Sequence, residues 1–326
     1  MEVCPLRKIY LLIVSIFVLC NSTEAPQAAD KVRLTVTNPN MSFLSAGVAL
    51  KKGFFKEEGL EAEVIRMSVP TTLMAIANGE IDYTLVFGSV IRAAMRGLPV
   101  KVVASLLDSS THALIARPEF RSVQELKGKT LGIESYGATS DVAARLMFKH
   151  FSIDPEKEIK IIALGPDRAR IAALKEKLVD VIVVTPPADS EAKKMGFTVL
   201  ARAFELFSFP FIGLGTSVKK IKERPDEVKR VIKAMIKANR FIREDREGTI
   251  RVLVEWGKVE PEHAAASYDS ISKVFNLDGS MPKDGLLRVI DQIKRETKTN
   301  REVSLNEVSD YTILREAQKE LGIKGR

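Results

Sequence analysis

Between residues 32 and 203, short apolar runs of strand length alternate with longer runs whose apolar residues recur at i, i+3 and i+4. That alternation builds sheets covered by helices, so it fixes the class as α/β before any single residue is considered. The pattern comes in two series. In the first, strands at 32–37, 61–67, 82–86 and 100–106 alternate with helices at 43–55, 71–78 and 88–95. An extended stretch at 111–117 interrupts it. The second series has strands at 130–134, 158–164, 179–185 and 198–203, with helices at 122–126, 139–150, 167–177 and 187–194. A second extended apolar stretch follows at 207–213, and beyond Ser217 the periodicity is helical in five segments: 225–246, 249–256, 261–275, 281–298 and 304–320. Two series joined by two extended stretches imply two α/β lobes. The first is discontinuous, 30–112 with 213–326, and the second is 113–212. Two crossings between lobes make a hinge.

Residues 1–29 read as a secretory signal. Arg7 and Lys8 form a basic start, 9–20 an apolar stretch of 12 residues, and 21–29 a polar, small-residue tail. The apolar stretch is short for a transmembrane span. Cys20, after that stretch, offers a lipid anchor as an alternative, although Leu19 stands where a small residue is expected. The other cysteine, Cys4, is also in the leader, so the exported chain has no thiol for a disulfide, a nucleophile or a metal site. Its stability must come from its cores, for which 45% apolar residues suffice. The formal charge of +8 is spread among acids, as in Lys51-Lys52 and Lys56-Glu57-Glu58, without an aromatic-interleaved basic block. It therefore reads as solvated helix faces rather than a nucleic-acid surface.

In α/β sheets, ligands bind outside the carboxyl ends of the strands, so the turns after the strands should line a cleft between the lobes. In the first lobe these turns supply Asn38, Met41, Ser42 and Phe43, then Ser68, Thr71 and Thr72, then Phe87 and Ser89. In the second they supply Tyr136, Gly137, Ala138, Thr139 and Ser140 from "ESYGATSD", and Thr185 with Pro186. His112 and Phe209 sit on the two crossings. Ser, Thr and Asn also cap helices, and each taken alone is explained by capping. Converging on one cleft, their hydroxyls, amides, helix starts and the rings of Phe43, Phe87 and Tyr136 suit a small anionic or polar organic molecule with a flat or apolar part. Arg92, Arg168 and Arg170 are candidate counter-charges, Asp141 fits a helix start electrostatically, and Glu134 belongs to the set if it faces the cleft.

Catalysis finds little support. Of His112, His150 and His263, only His112 is near the expected cleft, and no motif gives it a nucleophilic partner. Three scattered histidines make no metal site, and 137–140, Gly-Ala-Thr-Ser, matches neither phosphate-loop nor dinucleotide fingerprints. No cofactor is expected.

Four segments carry a resemblance: 49–60 (ALKKGFFKEEGL), 75–82 (AIANGEID), 126–133 (LKGKTLGI) and 170–187 (RIAALK leading to Val179-Asp180 and Thr185-Pro186-Pro187). In this order the chain resembles the substrate-binding proteins of ABC importers, in the branch of sulfonate, nitrate, taurine and thiamine-precursor binders. The resemblance implies a type II periplasmic-binding-protein fold, a monomer outside the cytoplasm, a small-molecule solute closed between the lobes, and a membrane permease as partner. It also implies two alternatives: a clamshell that senses its ligand for a signalling partner, and a pyrimidine synthase on the same fold. Fungal pyrimidine synthases carry a cysteine-rich motif that the exported chain lacks.

Overall fold

The structure, a computed structural model, describes residues 29–208, 210–281 and 283–324. The leader expected at 1–29 falls outside these residues except for Ala29, and Phe209 lies outside them too. Ten strands form two five-stranded sheets. The first contains β1 (Asp30–Val36), β2 (Leu60–Arg66), β3 (Tyr83–Thr84), β4 (Val100–Leu107) and β10 (Ile212–Ser217), in the order β2-β1-β3-β10-β4. The second contains β5 (Ala113–Ala116), β6 (Thr130–Ile133), β7 (Lys160–Ala163), β8 (Val181–Val184) and β9 (Thr198–Arg202), in the order β7-β6-β8-β5-β9.

Neither sheet is parallel throughout. β1 runs parallel to β2 and β3, and β6 parallel to β7 and β8, but β10 is antiparallel to β3 and β4, and β5 to β8 and β9. The cause is the crossing itself. A chain arriving from the other lobe enters its new sheet at the cleft end, so it must run opposite to the strands that finish there. The extended stretches at 111–117 and 207–213 therefore lead into interior antiparallel strands, each one place in from a sheet edge.

Packing follows the sheets. One core joins residues from 32–107 with residues from 211–317. The second sheet has a core on each face, built within 113–203. The helix Pro225–Glu244 turns Val228, Val231, Ile232, Met235 and Ile236 into the first core, as their i, i+3, i+4 spacing requires. On the same buried stripe, Asn239 is fully enclosed. Its Nδ2 donates to Leu106 O (2.9 Å) and Asn276 O (2.7 Å), while its Oδ1 accepts from Ser45 Oγ (2.5 Å). One amide thus ties the last turn of β4, just before the first crossing, to two other elements.

Two expected helices are divided. The segment 43–55 breaks at Gly53, whose φ of +82° only glycine adopts without strain, and a short helix Phe54–Glu57 follows. The segment 304–320 opens between the helices Leu305–Val308 and Thr312–Glu320, where Ser309 bridges Val102 of β4 in parallel fashion. No helix among the described residues is long and apolar enough to cross a membrane.

Asn239→Ala removes the side-chain partner of Asn276 O and of the buried Ser45 hydroxyl, while Leu106 O keeps its bond from Asn276 N. The expected loss is about 2–4 kcal/mol of unfolding free energy, read as a lower midpoint in urea titration with the far-ultraviolet dichroism of the native state retained.

Candidate functional site

Two adjoining cavities lie between the lobes, and Thr139 and Phe211 line both. The first is polar and encloses about 390 Å³ including its open mouth. Its walls come from the turn after β1 (Thr37, Asn38, Asn40, Ser42, Phe43), from His112 on the first crossing, and from Glu134, Asp167, Arg170 and Thr185 of the second lobe.

Asn40 shows how local structure becomes a contact between lobes. It caps the short 3-10 helix Met41–Phe43, its Oδ1 accepting from Ser42 N (3.1 Å). That leaves Nδ2 free to donate across the cleft to Thr185 Oγ1 (3.2 Å). Thr185 in turn donates from Oγ1 to Asp167 Oδ2 (3.2 Å), and Asp167 is ion-paired with Arg170 one turn along its helix. Arg170 also donates to Gly165 O, is only 3% exposed, and keeps a buried Nε with no hydrogen-bond partner. Ser42 Oγ lies 2.7 Å from Thr111 Oγ1, which fastens the turn after β1 to the first crossing.

Burial governs the titration of this cavity. His112, 3% exposed, has its Nδ1 3.0 Å from Ser110 Oγ and its ring edge-on to Phe211, with centroids 4.9 Å apart. Desolvation first, and the Arg170 charge second, push its pKa down to about 3, so the imidazole is neutral. Asp167 is held above the usual carboxylate range: burial raises it by more than Arg170 and Thr185 lower it, and Glu134 adds to the rise.

The second cavity spans about 510 Å³ including its open mouth and is mainly apolar. Val142, Ala143 and Leu146 face it from the helix Thr139–His150, and Phe207, Pro210 and Phe211 from the second crossing. Val289, Gln292, Ile293 and Glu296 close it from the helix Lys283–Thr297. Arg92 sits at its edge, ion-paired to Glu296 (2.6 Å), and donates across the cleft to Gly137 O (3.4 Å).

Of the candidates read from sequence, Asn38, Ser42, Phe43, His112 and Thr185 line the polar cavity, Ser89 and Gly137 the apolar one, and Thr139 both. The other described candidates line neither. Met41 and Phe87 are core residues with no exposed surface, and the Phe87 ring occupies the space a side chain at Gly213 would need. Thr72 is buried, while Ser68 and Thr71 share a hydroxyl contact of 2.7 Å at their own helix start. Ser140 is buried beneath the turn, its Oγ accepting from Glu134 N (3.2 Å), and Ala138 and Pro186 are backbone positions beside the walls. Tyr136 turns outward. It is 62% exposed and its hydroxyl donates to Ile161 O of the edge strand β7 (2.8 Å), so it presents no stacking face to either cavity.

Arg92 and Arg170, which solvation alone would explain from sequence, are both cleft residues, whereas Arg168 is exposed and lines neither cavity. The helix Lys283–Thr297 was the least expected contributor. Its signal is that Gln292 and Glu296 interrupt an apolar stripe at i, i+3, i+4, i+7 from Val289. Two contacts outside the cavities also join the lobes: Ser190 Oγ with His263 Nδ1 (3.0 Å) and Lys194 with Glu262 (2.5 Å).

A family model described as NMT1/THI5 like matches residues 40–248. The chain belongs to that family. Among curated relatives, YtlA of Bacillus subtilis, named only as a candidate binding protein, is 27% identical over 66% of this chain and 67% of its own. The family's enzymatic side is represented by the 4-amino-5-hydroxymethyl-2-methylpyrimidine phosphate synthase THI5 of Saccharomyces cerevisiae, 30% identical over 40% of this chain and 39% of its own. Solved structures share the fold, which is that of periplasmic binding proteins. The nitrate-binding protein NrtA of Synechocystis superposes with a TM-score of 0.76 at 16% identity, covering 90% of this chain and 89% of that one. The alkanesulfonate-binding protein SsuA of Xanthomonas axonopodis gives 0.73 at 16%, covering 88% and 100%. The ligand-binding component of an ABC-type import system from Staphylococcus aureus gives 0.74 at 14%, covering 88% and 99%.

Above about pH 6.5, His112 is neutral whether folded or unfolded. Between 6.5 and about 3, the unfolded imidazole takes up a proton that the folded one refuses, so stability falls across that window. Asp167, raised in the folded state, acts in the opposite sense, so the His112 share is read by difference. His112→Asn is expected to flatten the acid limb of the Tm against pH curve relative to the parent chain; parallel limbs would mean that His112 is not held neutral.

Proposed function

We propose that this chain is an extracytoplasmic solute-binding protein that captures a small organic solute between its lobes and hands it to the membrane permease of an ABC importer. The observation that carries the reading is the pair of adjoining cavities walled by both lobes and by the crossings. Closure assembles such a site, since Asn40 and Thr185 meet only when the lobes approach. The lobes in this reading are 30–112 with 213–326, and 113–212, moving about the crossings. The leader at 1–29 directs export, and the protein acts as a monomer. NrtA, SsuA and the Staphylococcus aureus protein, with the same architecture, support the transport role by analogy.

Binding is favoured over catalysis by the state of the groups themselves. His112 is neutral with its Nδ1 engaged by Ser110, and Asp167 is committed to Arg170 and Thr185, so the titratable groups of the polar cavity are occupied in holding the cleft together. The likeness to the yeast synthase spans 40% of the chain, and both cysteines, Cys4 and Cys20, lie in the expected leader.

Native mass spectrometry of gently purified protein is expected to show one small molecule bound per chain. Thr139→Trp, which fills the junction of the two cavities, is expected to lose that molecule while its Tm stays within a few degrees of the parent. A variant that keeps the solute removes the cleft as the site, and release of a chemically altered product overturns the carrier reading.

A further inference from the structure

The two cavities differ in chemistry and share a boundary, and this combination describes the solute more closely than the fold does. The charged side chains lining the polar cavity are Glu134, Asp167 and Arg170. Arg170 is already committed to Asp167, and His112 is neutral, so one carboxylate, that of Glu134, remains without an ion-pair partner among the described residues. The uncommitted charge of the polar cavity is thus negative. An oxyanion such as nitrate or a sulfonate would be repelled by Glu134 and would meet a cation already paired with Asp167, with only its buried Nε left to donate.

The neighbouring chamber adds a second observation. Its surface is mainly aliphatic and aromatic, and its one cation, Arg92, is neutralised by Glu296. Gln292, 3% exposed, donates from Nε2 to Glu296 Oε1 (2.9 Å), which turns its own Oε1 to the acceptor role; that oxygen is buried and has no partner. In the polar cavity the unpaired charge is thus a carboxylate, which takes hydrogen-bond donors, while the unpartnered donor beside it is the buried Arg170 Nε; the apolar chamber adjoins both.

We infer that the solute is an amphiphile whose nitrogen head group donates N–H hydrogen bonds to Glu134 in the polar cavity and whose apolar body passes Thr139 and Phe211 into the chamber faced by Leu146 and Ile293. This rests on the solute-binding reading and specifies its substrate class. Phe211 and Thr139, shared by both cavities, mark where head and body join. The sequence alone suited an anionic or a polar solute equally; the placement of Glu134 decides between them.

The test uses two homologous probe series, n-alkylammonium and n-alkanesulfonate ions of four to eight carbons, titrated calorimetrically into the dialysed full chain at pH 7. The ammonium series is expected to bind, tightening by about fourfold per methylene until the chamber is full, with each sulfonate at least about tenfold weaker than its ammonium counterpart. Glu134→Gln should weaken every ammonium probe about tenfold while leaving the increment per methylene intact. Leu146→Trp should erase the increment while butylammonium still binds, and thermal unfolding verifies that both variants fold. Sulfonates binding as tightly as ammonium ions overturn the head-group assignment, and a flat chain-length profile overturns the chamber assignment. Failure of both series to bind overturns the inference as a whole. None of these results bears on the carrier reading, which stands or falls on the co-purified molecule in native mass spectra.

Discussion

The chain passes between its two sheets twice, at 108–112 and at 203–211, and the site is organised around that constraint. Because each pass enters its new sheet at the cleft end, it becomes an antiparallel strand inserted next to the edge strand of the sheet, and the residues just before those strands sit at the floor of the cleft. His112 is the last residue before β5 and Phe211 the last before β10, and their rings meet edge to face. The residues of the crossings therefore supply the floor of the cleft. Asn239 holds the approach to the first pass, and Ser42 holds Thr111 within it. A rigid floor lets the walls move as bodies.

The polar groups on those walls are linked rather than isolated. Asn40, Thr185, Asp167 and Arg170 form one hydrogen-bonded line from lobe to lobe, and the buried charge of Arg170 has its partner within one helical turn. Breaking such a line by removing one member leaves a charge or an amide stranded in a low-dielectric space, which is why burial sets the titration of His112 and Asp167 so firmly. Arg92 repeats the design at the other end of the cleft, with Glu296 beneath it and Gly137 O across the gap.

Much of the architecture was legible because periodicity and strand length act locally. The elements of both sheets fall close to where apolar runs placed them. The mixed sheet direction was not legible, since it follows from where the chain arrives and not from any residue within β5 or β10. At the cleft, the turns were readable but the orientation of each side chain was not. Ser140 and Thr139 are neighbours with equal claims in sequence, yet the helix start sends one beneath the turn and the other into both cavities. Tyr136 had the right chemistry and the wrong direction, drawn to Ile161 O at the sheet edge. Gln292 and Glu296 come from a helix some 150 residues away from "ESYGATSD", and only tertiary packing brings them to it.

The central claim is that solute closes the lobes about the two crossings. Both cysteines precede residue 21, so in a chain beginning at residue 30 spin labels on cysteines introduced at Lys31 and Lys157, exposed positions on opposite lobes, report the interlobe distance. Pulsed electron double resonance on protein carrying its co-purified solute is predicted to give one narrow distance distribution, and on protein stripped of it a shifted and broader one. Superimposable distributions in the two states would contradict closure and, with it, this account of how the cleft works.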